Sequence, residues 1–171
     1  MNIAQSLLPE FDQEMASTRT MLERVPEDKL SYKPDPKSMS LARLAGHVAE
    51  MPGWGAVTMT TDELDFASGD YKPQEMTSRA QILAAFDKTV AESRAAIAAT
   101  SDERMLQPWS LKNAGTVLFT MPRVAVLRTM VMNHTIHHRG QLSVYLRVNG
   151  AKIPGMYGPS ADEAMPATAG S

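Results

Sequence analysis

Apolar residues recur at Ile3, Leu7, Phe11, Met15 and Leu22, spacing that puts them on one face of a helix from Ile3 to about Arg24. The following stretch, VPEDKLSYKPDPKSMS, carries three prolines and loses the periodicity, so it reads as a loop. Ser40 is placed to cap a second helical run, LARLAGHVAEM, which Pro52 and Gly53 interrupt. Proline removes a backbone donor there, so the run is expected to kink or break. Residues 61–74 are polar and punctuated by glycine and proline, a connection. Ser78 followed by Gln81 has the form of a capping box. It opens a third helix, from Arg79 to about Ala99, with Ile82, Phe86, Val90 and Ile97 on its stripe.

The stretch 100–120 is harder to place, and Leu111 to Phe119 within it fits either extended or partly helical chain. Pro122 suits the first turn of a fourth helix, which runs to Asn149 and stops at Gly150. The tail is rich in glycine and proline. Its first half is expected to pack back on the body, and its end, about 164–171, to be flexible. Four long helices without strand-period alternation predict an all-α fold, an antiparallel four-helix bundle. The long connections call for at least one crossover. The 171 residues make a single domain, 1–171, large enough to bury its own core.

Charge changes this picture little. Seventeen basic and nineteen acidic residues leave a net charge of -2 with no Lys/Arg-rich run, which speaks against nucleic-acid or anionic-membrane partners. The N-terminus lacks a basic segment followed by an apolar one, and no apolar run approaches the ~20 residues that span a bilayer. A soluble, cytoplasmic protein is the expectation. Cysteine is absent, which excludes disulfides. Any metal must then be held by nitrogen and oxygen, and any thiol chemistry must use an external thiol.

Three of the four histidines, His134, His137 and His138, crowd into NHTIHHRGQLSVYLRVNG. At about 100° per residue, Leu127, Met130, Val131, His138, Gln141 and Tyr145 fall within roughly 60° of His134. His134 and His138 therefore share an apolar stripe at the i, i+4 spacing that lets two imidazoles converge. His137 stands to the other side. The fourth histidine, His47, lies among Leu44, Met51 and Trp54 on the apolar face of its own helix. Buried imidazoles need partners, since an unpaired buried polar group costs roughly 1–3 kcal/mol. A polar network would serve, as would an ion bound by His47, His134 and His138, with positions left open for water or substrate.

Gln141 shares the stripe of the two C-terminal histidines and is a candidate to touch a bound water. Glu50, three residues after His47, is a candidate base or imidazole partner, although a solvated carboxylate is the commoner outcome. Trp54 and Tyr145 are candidate pocket walls, with core packing as the alternative. Arg139 and Arg147 project from the opposite side and suit surface or subunit contacts. Met132 and Ile136 on that side imply a covered face, by a second subunit or by the chain's own helices or tail. Asp162 and Glu163 suit capping or tail docking. No glutamate stands three residues before a histidine, which discards a di-iron carboxylate centre. Nucleophile-elbow and phosphate-loop motifs are absent.

NHTIHHRGQLSVYLR with Gly150, Pro154 and YGPSADE resembles the C-terminal signature of the DinB-like family, and KLSYKPDPKSMSLARLAGHVAEM is similar to its earlier signature, a proline-rich turn before a histidine-bearing helix. The resemblance spans nearly the whole chain. It implies a DinB/YfiT-like four-helix bundle with a crossover, often homodimeric, and a divalent metal on His47, His134 and His138. Related proteins transfer low-molecular-weight thiols, isomerise maleylpyruvate with a thiol cofactor, or hydrolyse. Two functions are therefore expected. One is a metal-dependent thiol S-transferase or hydrolase, in which zinc or nickel activates water or an external thiol against a small electrophilic substrate. The other is a non-catalytic, stress-related protein in which the ion is structural.

Overall fold

The computed structural model describes residues 2–69, 73 and 76–163. Its first helix, α1 (Ile3–Leu22), opens on a reciprocal cap: Asn2 accepts from the Gln5 amide, and the Gln5 side chain accepts from the Asn2 amide. Phe11, Met15 and Leu22 are buried on its inner face as the spacing predicts. The proline-rich loop leads to α2 (Leu41–Glu50), where the Ser40 hydroxyl accepts from the Arg43 amide. The break at Pro52 is real, and α3 (Gly53–Thr60) starts directly after it.

The helix α4 (Arg79–Ala99) takes over the backbone groups freed by that break. Thr89 donates its hydroxyl to the Ala49 carbonyl at 2.8 Å. Ser93 donates to the Pro52 carbonyl and accepts from the Ala56 amide. Such close contact needs glycine in α3: a Cβ at Gly55 would lie 3.0 Å from Ser93 Cβ. At the start of α4, Ser78 accepts from the Gln81 amide, but the returning Gln81 side chain binds Thr77. The capping box is thus displaced by one residue.

The all-α expectation requires correction. After the short α5 (Asp102–Leu106), strands β2 (Pro108–Asn113) and β3 (Thr116–Pro122) pair antiparallel. The chain before α4 adds β1 (Glu63–Asp65), parallel to β2. The reason is local and tertiary together. β-Branched and aromatic residues dominate Thr116 to Thr120, and the turn Ala114–Gly115 takes positive φ at both positions. The Asp65 carboxylate accepts from both turn amides, at 2.9 and 2.7 Å. Trp109 and Leu111 then form a second small core with Val126. The long polar connection assigned to 61–74 therefore begins with a strand; its positions 70–72 and 74 lie outside the described residues, as does the C-terminal end 164–171.

Pro122 ends β3, and the fourth helical stretch has three parts: α6 (Arg123–Val126), a π-helical segment (Leu127–Asn133) and α7 (His134–Val148). It stops at Gly150, whose φ of 78° lets the Gly150 and Ala151 amides reach back to the Arg147 and Leu146 carbonyls. Helix α1 packs on α4 and α7, and α2 packs on the same two. The main core between them includes Phe11, Leu44, Val48, Phe86, Val131 and Leu142. The tail folds back as expected. Asp162 accepts from the Ile153 amide and pairs with Arg147, and Glu163 accepts from the Gly155 amide. No helix among the described residues is long and apolar enough to cross a membrane.

Candidate metal centre

His47 comes from the last turn of α2, while His134 and His138 come from the first turns of α7, the helix packed against it. One ring nitrogen from each lies within 4.8 Å of the others, a group of three that could hold a metal ion. The His47 ring meets His134 and His138 edge-on, with centroids 5.5 and 4.6 Å away. The distant helix thus delivers the third imidazole to the depth of the other two, which helical spacing alone cannot establish.

Hydrogen bonds on the far edges of the rings orient them. His138 Nδ1 donates to Gln141 Oε1 at 2.7 Å, and the His134 ring hydrogen-bonds the Met130 backbone. These bonds leave the two Nε2 atoms facing each other 2.9 Å apart. Two lone pairs at that separation repel unless a proton or a cation lies between them. His47 Nδ1 is buried without a hydrogen-bond partner among the described residues. In His134 and His138 one ring nitrogen is held by a neighbour while the Nε2 atoms converge, the arrangement metal-binding histidines adopt, so these residues fit a divalent ion.

Electrostatics favour the neutral, ligating form of all three rings. Burial, then the neighbouring His138 and Arg43, pushes the His47 pKa down to about 4. His134 is lowered by burial and then by His138; His138 is lowered by burial, against the opposing Gln141 hydrogen bond. The candidate base Glu50 is bound to Arg43, with Arg43 Nη2 3.0 Å from Glu50 Oε2. Arg43, four residues before His47 and on its face, was not singled out by the sequence. The i, i+4 spacing is the signal that could have found it.

Other expectations sort themselves by face. His137 is exposed, meets the His138 ring edge-on with centroids 4.9 Å apart and lies outside the group of three. The deeply buried face of α7 carries Thr135, Arg139, Leu142 and Leu146, so the histidine stripe flanks the core and does not point into its centre. Arg139 is accordingly no surface residue. It is 2% exposed, paired with Glu14 at 2.8 Å and hydrogen-bonded to Thr18 and Tyr157. Met132 is covered within the chain. Arg147 is tied to the tail through Asp162. Trp54 packs on Phe66 beside the sheet. Tyr145 and Gln141 line a groove of about 470 Å³ with Pro34, Lys37, Met39 and Val144, next along α7 from His138.

Fold and site together define a class: mostly helical proteins with a candidate three-histidine metal centre between two packed helices. Residues 1–168 match the DinB family model, and the chain belongs to the DinB family. It is 26% identical over 159 residues to the uncharacterized protein YrdA of Bacillus subtilis strain 168, covering 91% of this chain and 89% of that one. A crystal structure of a DinB-like protein from Bacillus cereus ATCC 10987 superposes with a TM-score of 0.70 at 25% identity, over 91% of this chain and 98% of that one. The DinB-like protein YjoA of Bacillus subtilis has a similar fold, with a TM-score of 0.68 at 20% identity, over 88% and 96% of the two chains.

Proposed function

We propose that the protein is a divalent-metal-dependent enzyme in which His47, His134 and His138 hold zinc or nickel. Its reaction joins water or an external low-molecular-weight thiol to a small electrophilic substrate. The observation that carries this reading is the convergence of three imidazole nitrogens within 4.8 Å, with no carboxylate among them. A donor set of neutral nitrogens suits zinc or nickel. A divalent ion bound there would lower the pKa of a water or thiol, supplying a nucleophile near neutral pH. A thiol must come from outside, because the chain has no cysteine.

The chain's own residues prepare that site. Gln141 fixes the His138 tautomer and lines the adjoining groove. Burial keeps the three rings unprotonated near pH 7, so they retain their lone pairs. Glu50 is engaged by Arg43 and serves the site as that residue's partner, not as a base. Bundle topology with a crossover, a homodimeric state and a cytoplasmic location belong to the same reading.

Metal analysis of the purified protein beside His138→Ala tests it. The wild type is expected to hold about one ion per chain, as a single three-histidine site requires, and the variant to lose it. Unchanged metal content in His138→Ala overturns the site. Thiol consumption against a panel of electrophiles then separates a catalyst from a structural ion. A metal-free protein that only melts earlier, with no thiol or water chemistry in the loaded form, would favour the structural role.

A further inference from the structure

We propose that Arg43 is an anion-binding arm of the three-histidine site, and that the small molecule the site takes carries a carboxylate received by Arg43 Nη1. Three buried side-chain polar atoms have no hydrogen-bond partner among the described residues: Arg43 Nη1, His47 Nδ1 and Thr58 Oγ1. Arg43 and His47 lie one helical turn apart on α2, and His47 is one of the three histidines of the candidate metal centre. Buried donors left open are costly and call for a specific explanation.

The other arginines of the interior show what a structural guanidinium does here. Arg123 spends its nitrogens on the Thr58, Gln107, Pro108 and Thr61 carbonyls and on Asp62. Arg139 spends both terminal nitrogens on Glu14, Thr18 and Tyr157. Arg43 uses Nη2 on Glu50 and leaves Nη1 open. His47 feels both members of the pair, Arg43 lowering its pKa and Glu50 raising it. Charge balance points the same way. Three neutral imidazoles bring no negative charge to a divalent ion, and Glu50 is already matched to Arg43. An anionic ligand completes the site, and a carboxylate suits the planar guanidinium fork.

This inference rests on the proposed metal site, so the test begins with metal content. The full-length protein is loaded with Co²⁺, and its visible absorption is followed during titration with 3-mercaptopropionate and with its neutral isostere 3-mercaptopropionamide. The wild type is expected to bind the carboxylate at least tenfold more tightly. Arg43→Gln should remove that preference while leaving amide binding and Co²⁺ stoichiometry unchanged, and Arg43→Lys should restore part of it. A wild type that takes up no Co²⁺ fails the metal reading and this inference together. Normal Co²⁺ uptake with no carboxylate preference, with neither thiol bound, or with the preference intact in Arg43→Gln overturns the inference alone. Loss of Co²⁺ in both Arg43 variants marks a structural role and overturns it too.

Discussion

His47 carries the clearest pH signature of any single residue. Its folded pKa, about 4, lies below the ordinary 6.5, so the unfolded chain takes up a proton first as pH falls. The stability due to the neutral ring is complete above pH 6.5 and is lost as pH drops toward 4. Urea unfolding of the metal-free protein across that window should show stability falling with acid, and His47→Gln should flatten the slope. A wild-type curve that stays level between those limits would contradict the burial of the ring. Gln141→Leu, which removes the acceptor on His138 Nδ1, should weaken metal binding about 10-fold or more, within the range seen for outer-sphere partners of metal-bound histidines; competition with a metal chelator measures it.

Between elements, the seam of α3 and α4 depends on small residues. Gly55→Ala would force a Cβ to 3.0 Å from Ser93 Cβ, and overpacking of this kind costs roughly 1–3 kcal/mol. Thermal unfolding should show the loss, with metal content retained because the histidines lie on other helices. The pair Arg139–Glu14 joins α7 to α1 in the interior. Arg139→Met leaves a buried carboxylate without its cation, a change that costs roughly 3–5 kcal/mol. The double variant Arg139→Met, Glu14→Leu should recover much of that loss in denaturant unfolding. Equal losses in the single and double variants would show that the ion pair is not what matters there.

At the scale of the molecule, metal binding at the proposed site would be linked to folding, because the three imidazoles meet only in the folded chain. At a free metal concentration 1,000 times the dissociation constant, an ion held there would stabilise the protein by about 4 kcal/mol. The melting temperature should therefore rise with added Zn²⁺ or Ni²⁺ and become independent of it in His138→Ala. Periodicity was enough to find the four helical stretches, the Pro52 break, the Gly150 stop and the i, i+4 pair His134 and His138, because each depends on neighbours within a turn or two of chain. It also identified His47 as an apolar-face histidine. It left Leu111 to Phe119 open between extended and helical chain and missed β1, since the strands hold together through Asp65 and a tryptophan core assembled from distant segments. It missed the buried setting of Arg139 too: the π segment precedes α7, and the face that packs on α1 was not legible from spacing alone. The sequence by itself determined which residue types were available, nitrogen donors without thiols, and their order along the helices. Only the tertiary structure decided that His47 stands beside the C-terminal pair. Contact between α2 and α7 depends on the packing of all the helices at once, and no local pattern encodes it.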